Sequence, residues 1–194
     1  MSHSEAKERV LQAAETLFTE RGYEAVVIKD IAKQAGIHHA SLYHHIPGGK
    51  SALFVEVMMR QMKRHETGLH KVISDYEGDV RKQLEHIAGW FIDHPPVDVI
   101  RLTRSDLAAI PEAEAEQVSN MAYQATLIPL ISILEAARAR GELALKKTST
   151  GNIAGALFSA FQGLHAIPEA HLARSRQVMA NEIIDVVLRG LVKD

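Results

Sequence analysis

Basic, aromatic and hydroxyl side chains cluster between residues 28 and 50, and their chemistry suits contact with nucleic acid. The members of this cluster are Lys29, Lys33, His38, His39, Ser41, Tyr43, His44 and Lys50. Ammonium, imidazole and hydroxyl groups donate hydrogen bonds to phosphate oxygens and to acceptor groups on base edges. Residues 28–50 hold three lysines and one aspartate, a local positive excess in a chain of formal net charge −2. The cluster therefore predicts DNA binding. Whether its histidines meet bases or phosphates stays open.

Two short helices joined by a tight turn are predicted to position this cluster. The first has an apolar face built from Ile28, Ile31, Ala32 and Ala35. Gly36 ends it, because glycine reaches the left-handed conformation of a tight turn without steric cost. The second helix directs Ala40 and Leu42 to the core and ends before Pro47. This pattern is typical of a helix-turn-helix, in which the second helix enters the major groove of DNA.

The wider segment from Arg9 to Met58 closely resembles the amino-terminal DNA-binding domain of the TetR family of transcriptional regulators. The stretches that carry the resemblance are AAETLFTERGYEA, IAKQAGI, SLYHHIPGGK and the following ALF. The PGGK ending resembles one subgroup, in which the glycine pair precedes the fourth helix. The resemblance implies that Tyr43 and Lys50 hold phosphates. It also implies that the recognition helix approaches base edges with His38, His39, Ser41 and His44.

The sequence departs from the family pattern at two places. The family usually has Ser or Thr just before the second helix, where it caps the helix and often touches a phosphate. This chain has Val26 and Val27 there, and neither side chain can accept a hydrogen bond from the exposed amides. Early in the recognition helix, His38 and His39 replace a common basic or polar residue.

The composition predicts an all-α fold with about nine helices. Hydrophobic residues make up 46% of the chain and aromatic residues only 5%, and the apolar positions repeat with helical spacing. We expect an amino-terminal three-helix domain with a helix-turn-helix (residues 1–50), a connecting helix (51–76) and a larger helical bundle for ligand binding and dimerisation (77–194). The absence of cysteine excludes disulfides and thiolate zinc sites. No signal-peptide core or apolar run of membrane-spanning length occurs, so we expect a cytoplasmic protein.

The carboxy-terminal half is predicted to hold a small-molecule effector and to form the dimer interface. The candidate ligand-binding residues are Trp90, Phe91, Arg101, Arg104, Met121, Tyr123, Phe158 and Phe161. Arginines that point inward would favour an anionic ligand. Gly155, Ser159 and Gly163 recur every fourth residue, so another helix can approach closely. In the resembling family the last two helices pair with their copies across a two-fold axis. Packing within one chain is the alternative use of this row.

Metal binding and catalysis are not expected. The eleven histidines lack the spacing of metal ligands, since His65 and His70 are five residues apart rather than four. There is no phosphate-binding loop, nucleophile elbow or HExxH motif. We therefore predict no metal site, no cofactor and no enzymatic activity.

The sequence favours a homodimeric, ligand-responsive repressor that binds a palindromic double-stranded DNA operator and is released by a small-molecule effector. A helical small-molecule-binding protein without a role on DNA is the alternative. A helical metal-dependent enzyme is a third and weaker one.

Overall fold

The computed structural model describes residues 3–94, 98, 101–144 and 148–191. Its α-helices are α1 (His3–Ala25), α2 (Ile28–Ala35), α3 (His39–His45), α4 (Gly49–Asp75), α5 (Val80–Asp93), α6 (Glu112–Ala139), α7 (Thr150–Ala166) and α8 (Arg176–Leu191). A π-helical turn (Leu102–Asp106) and a 3₁₀ turn (Leu107–Ala109) precede α6, and a second 3₁₀ turn (Glu169–His171) precedes α8. These described ranges contain no strand, and the predicted all-α class is confirmed.

The chain divides into two compact units. The first takes its residues from Met1–Gln61 and Val97–Met121, and the second from Met62–Pro96 and Ala122–Asp194. Helices α4 and α6 each supply residues to both units. The predicted functional division at residues 50 and 76 remains a prediction.

The core of the first unit forms where α1 packs on α2, α3 and the beginning of α4. Leu17, Phe18 and Leu42 are buried there. The ring of Phe54 meets the rings of Phe18 and Tyr23 edge-on, at centroid distances of 5.2 and 5.1 Å. Burial of this apolar surface holds the short helices together, since helices of seven or eight residues are not stable alone.

The second unit is centred on the packing of α5 against α7 and α8. Its largest fully buried rings are Phe91 and Phe161, and α8 contributes Ile184 and Leu188 to the same core. The rings of Phe91 and Phe158 meet edge-on at 5.4 Å. These residues follow the helical spacing that buries one face of each helix.

Polar side chains cap the amino-terminal ends of two helices. The carboxylate of Asp79 accepts a hydrogen bond from the Lys82 amide at 3.0 Å, and the hydroxyl of Ser149 accepts one from the Asn152 amide at 3.2 Å. Asp79 therefore caps α5 and Ser149 caps α7. Val27, at the N-cap of α2, makes no side-chain capping bond, as predicted.

Candidate DNA-binding surface

The turn between α2 and α3 has the geometry of a helix-turn-helix. Gly36 lies in the left-handed region, with φ of 64° and ψ of 38°. The amide of Gly36 donates to the carbonyl of Lys33 and the amide of Ile37 donates to the carbonyl of Ala32, at 3.2 and 3.0 Å. These bonds satisfy the last carbonyl groups of α2 and turn the chain directly into α3. The predicted glycine turn is confirmed.

One residue anchors α3, and most of the rest of the helix faces solvent. Leu42 is fully buried, whereas His39, Ala40, Tyr43 and His44 are exposed. The prediction that Ala40 contributes to the core is wrong. In a seven-residue helix that buries a single narrow face around Leu42, a residue two positions away points elsewhere. Ala40 therefore belongs to the exposed face.

The polar residues predicted to meet DNA share this region of the first unit. Lys29, Lys33 and His38 are exposed, and Ser41 is half-buried. The rings of His39 and Tyr43, one helical turn apart, meet edge-on with centroids 5.5 Å apart. Ring contact between them restricts the rotamers of both side chains, so the aromatic part of the surface is partly pre-organised.

Lys50 is more constrained than its position near the start of α4 suggests. Its Nζ donates to the carbonyl of Glu24 at 3.3 Å and lies 4.2 Å from the centre of the Tyr23 ring. Burial lowers the pKa of the Lys50 ammonium, and the charges of Glu24 and Asp106 act in the opposite direction. Because an ammonium carries three donors, this tether leaves N–H groups available for a phosphate.

A buried carboxylate organises the junction between α1 and the turn that leads to α2. Gly22 breaks α1 with a φ of 77°, and the next amide, that of Tyr23, donates to Oδ1 of Asp106 at 2.8 Å. Arg101 donates to the carbonyls of Phe18 and Thr19 at 3.1 and 2.9 Å. The Arg101 Nε lies 3.5 Å from Oδ2 of Asp106. The segment at residues 101–106 therefore caps the end of α1.

The residues predicted to bind an effector divide between the two units. Arg101, Arg104 and Met121 belong to the first, and the remaining five to the second. Arg101 is engaged by the carbonyls at the end of α1, and Arg104 is exposed. These positions do not test a ligand role, which stays a prediction.

The five candidates in the second unit differ in burial. Phe91, Phe158 and Phe161 lie in the core and their rings are neighbours, whereas Tyr123 is exposed. Trp90 covers Gly68, since a Cβ placed on that glycine would fall 2.1 Å from the indole. The structure thus brings the three phenylalanines together and places Trp90 against Gly68, and the ligand role of these residues also remains a prediction.

Sequence reasoning did not identify two polar residues of the first unit, Asp106 and Arg9. Asp106 is 1% exposed, and it accepts a hydrogen bond from the amide of Tyr23, 83 positions away in the chain. Arg9 carries two buried nitrogens without a hydrogen-bond partner. No local motif marks either residue, because their environments depend on packing between distant segments.

Neither a metal cluster nor a membrane span is found in the part of the chain that the structure describes. No three His, Asp or Glu side chains within the described ranges converge as ligands for one ion. Among the same residues, no helix combines the length and the apolar character needed to cross a bilayer.

Comparison with known proteins identifies the amino-terminal domain. Residues 10–57 match the family model described as bacterial regulatory proteins, tetR family. This range contains α2, the glycine turn and α3 together with most of α1. Over this range the chain matches the TetR family.

Curated relatives are similar to this chain over only part of its length. The HTH-type transcriptional regulator LmrA of Bacillus subtilis is 38% identical over 65 residues, which cover 34% of this chain and 34% of LmrA. The HTH-type transcriptional repressor KstR2 of Mycolicibacterium smegmatis is 34% identical over 86 residues, covering 44% of this chain and 40% of KstR2. The chain thus spans less than half the length of these relatives. Both are named as transcriptional regulators and not as enzymes.

The likeness of fold extends over nearly the whole chain. A TetR-family transcriptional regulator from Agrobacterium tumefaciens superposes with a TM-score of 0.78, covering 99% of this chain and 100% of that one, at 23% identity. At this identity the comparison shows the fold alone. The similarity of fold is therefore not limited to residues 10–57.

Proposed function

We propose that this protein is a transcriptional repressor that binds a palindromic DNA operator as a homodimer and is released by a small-molecule effector. The observation that carries the proposal is the exposed polar face of α3, held by the buried Leu42 in a TetR-family helix-turn-helix. An exposed recognition helix on a rigid two-helix frame is the arrangement that enters the major groove.

The residues of this face divide into those proposed to contact bases and those proposed to contact phosphates. His38, His39, Ser41 and His44 approach base edges, while Tyr43 and Lys50 hold phosphates. Lys29 and Lys33 are exposed on α2 and add positive charge beside the recognition helix. Sequence-independent affinity then comes from the lysines and backbone amides, and discrimination comes from α3.

The outer faces of α7 and α8 support a homodimer. A Cβ placed on Gly155 or Gly163 meets nothing within 4 Å. The surface of α7 at these glycines therefore carries no side chains. On α8, Val186 is 74% exposed and Val178 is 41% exposed. Aliphatic side chains beside a bare helix surface are suited to close helix–helix packing with a second copy.

Effector release requires a ligand that binds better to a conformation unable to hold DNA. Helix α4 begins beside the recognition helix and continues into the second unit, so it is the proposed route of coupling. The proposed ligand-binding residues in that unit are Trp90 and its phenylalanine neighbours.

Selection of bound duplexes from a random library tests the proposal with the full chain. We expect enriched sequences with inverted half-sites whose centres are about 34–36 Å apart, or a multiple of that distance. Mass measurement of the complex should give two chains for each duplex. A library that shows no enrichment, with binding equal on all duplexes or absent, would contradict the proposal and favour a helical small-molecule-binding protein.

A further inference from the structure

Arg9 occupies an unusual electrostatic position in α1. Its Nε and one terminal nitrogen are buried and have no hydrogen-bond partner among the described residues. A guanidinium that loses water without gaining an acceptor is costly. Such a group is stabilised when an anion arrives to accept its hydrogen bonds, and the fork of N–H groups suits phosphate oxygens.

The nearest acidic residue in sequence does not neutralise Arg9. The carboxylate of Glu8 accepts two hydrogen bonds from the guanidinium of Arg60, at 2.8 and 2.6 Å. This pairing lowers the pKa of the Glu8 carboxyl and keeps its charge directed at α4. Glu8 therefore does not neutralise the positive charge of Arg9.

A groove between α1 and α2 surrounds the Arg9 side chain. It has a volume of about 220 Å³ and is open to solvent. Its lining consists of Arg9, Gln12, Ala13, Thr16, Gln34 and Ala35. Two alanines give the groove room, and the amide and hydroxyl groups give it further hydrogen-bonding capacity. No carboxylate lines it, so an anion entering the groove meets no like charge on its walls.

The groove lies next to the turn of the helix-turn-helix. A Cβ placed on Gly36 would be 3.8 Å from a terminal nitrogen of Arg9. Gly36 is followed within three residues by the start of α3. An anion held by Arg9 is therefore close to α2, which as the first helix of the motif crosses the DNA backbone when α3 enters the major groove.

We propose that Arg9 binds a phosphate of the DNA backbone, so that α1 supplies a positioning contact outside the recognition helix. The proposal rests on the proposed DNA-binding function and adds a site to it. The contact is sequence-independent and fixes the register of α3 on the duplex. The phosphate binds in the α1–α2 groove.

Titration of salt tests the proposal with the full chain and a duplex obtained by selection. Arg9→Gln should make the slope of log affinity against log salt less steep by about 0.9 for each bound subunit. For two subunits, the difference in affinity between wild type and variant should shrink by roughly 12-fold between 50 and 200 mM salt. Lys7→Gln is the matched control, because it removes a charge from the same helix at a residue paired with Glu56 at 2.7 Å. Its slope should equal that of the wild type.

Two further changes locate the contact between Arg9 and the DNA. One is Arg9→Lys in the protein, and the other is replacement of a DNA phosphate by a neutral methylphosphonate. Arg9→Lys keeps the charge but loses the fork, so it should keep the wild-type slope with weaker binding. One methylphosphonate in each half-site should weaken wild-type binding several-fold and weaken Arg9→Gln or Arg9→Lys binding less. If Arg9→Gln does not fold, the comparison of Arg9→Lys with wild type decides alone.

The failures are distinguishable. Wild-type protein that binds no duplex contradicts the proposed function itself. If the wild-type protein binds DNA, two results would overturn the Arg9 site alone. One is that Arg9→Gln keeps the wild-type salt slope. The other is that the Arg9 variants respond to every methylphosphonate as the wild type does.

Discussion

The indole N–H of Trp90 donates a hydrogen bond to Nδ1 of His65 at 3.1 Å, inside the second unit. His65 must then carry its own proton on Nε2 and stay uncharged. Burial lowers its pKa to about 4, and the charges of Arg64 and His94 act in the same direction. Trp90 is also stacked on the imidazole of His94, with ring centroids 3.9 Å apart. Because of the hydrogen bond between Trp90 and His65, the stability of this unit depends on pH.

Acidification should therefore destabilise the protein through His65. The unfolded state takes up a proton near pH 6.5, while folded His65 resists protonation until pH is about 4. The stabilising contribution is complete above about pH 6.5 and is lost as pH falls towards 4, with a loss on the order of 3 kcal/mol. Urea unfolding followed by the fluorescence of Trp90, the only tryptophan in the chain, measures it.

His65→Gln separates this contribution from other acid effects. Its amide oxygen can still accept from the indole, but it does not titrate. We expect the variant to lose less stability than the wild type between pH 7 and 4.5. Parallel pH profiles for the two proteins would mean that His65 is not a source of acid sensitivity.

Removal of the buried Asp106 carboxylate should loosen the end of α1. Asp106→Ala leaves the Tyr23 amide without its acceptor and the Arg101 guanidinium without its nearby carboxylate, and we expect a loss of about 2–4 kcal/mol in the free energy of unfolding. Asp106→Asn can still accept from Tyr23 and should lose less. Asp93→Ala, at an exposed position, should stay within about 0.5 kcal/mol of the wild type. Equal stability of all three variants in urea unfolding would contradict the capping role of Asp106.

Gly163→Leu tests the proposed dimer face. A leucine there enters open space within one subunit, so the fold should be preserved. In a dimer built on α7 and α8 the same leucine separates the packed helices, and sedimentation should show monomers. Ser119→Leu, an exposed position on α6, should remain dimeric. A folded Gly163→Leu protein that sediments as a dimer would place the interface elsewhere.

The helix-turn-helix was predictable because its determinants are local. Glycine at 36, the apolar face of α2 and the anchor Leu42 act within a few residues of one another, as do the capping residues Asp79 and Ser149. The error at Ala40 came from counting an apolar residue as core when one leucine already fills the centre of α3. Periodicity gives little guidance in a helix of only two turns.

The Arg101–Asp106 junction and the Arg9 groove were not predictable by the same reasoning. Asp106 reaches an amide 83 positions earlier, and its π-helical turn has no local sequence signature. Arg101, a ligand candidate because of its charge, donates to carbonyl groups at the end of α1. Arg9 gains its significance only from the groove that α2 forms beside it. Such long-range relationships require the packed structure.

The binding of a selected operator by a variant lacking the aromatic pair of α3 tests the central claim most directly. His39→Ala with Tyr43→Ala removes that pair from the recognition helix. His70→Ala with Tyr123→Ala is the matched control, since it removes the same residue types from exposed positions in the second unit; Tyr43 and Tyr123 are 49% and 47% exposed.

The dissociation constant on the operator and on a scrambled duplex is then measured at fixed salt for each protein. We expect the wild type to bind the operator at least about 10³-fold more tightly than the scrambled duplex. The His39 and Tyr43 variant should lose at least about tenfold in operator affinity, and the control should stay within about threefold of the wild type. Two results would contradict the claim that α3 recognises the operator sequence. One is equal binding of both duplexes by the wild type, and the other is wild-type operator affinity in the His39 and Tyr43 variant.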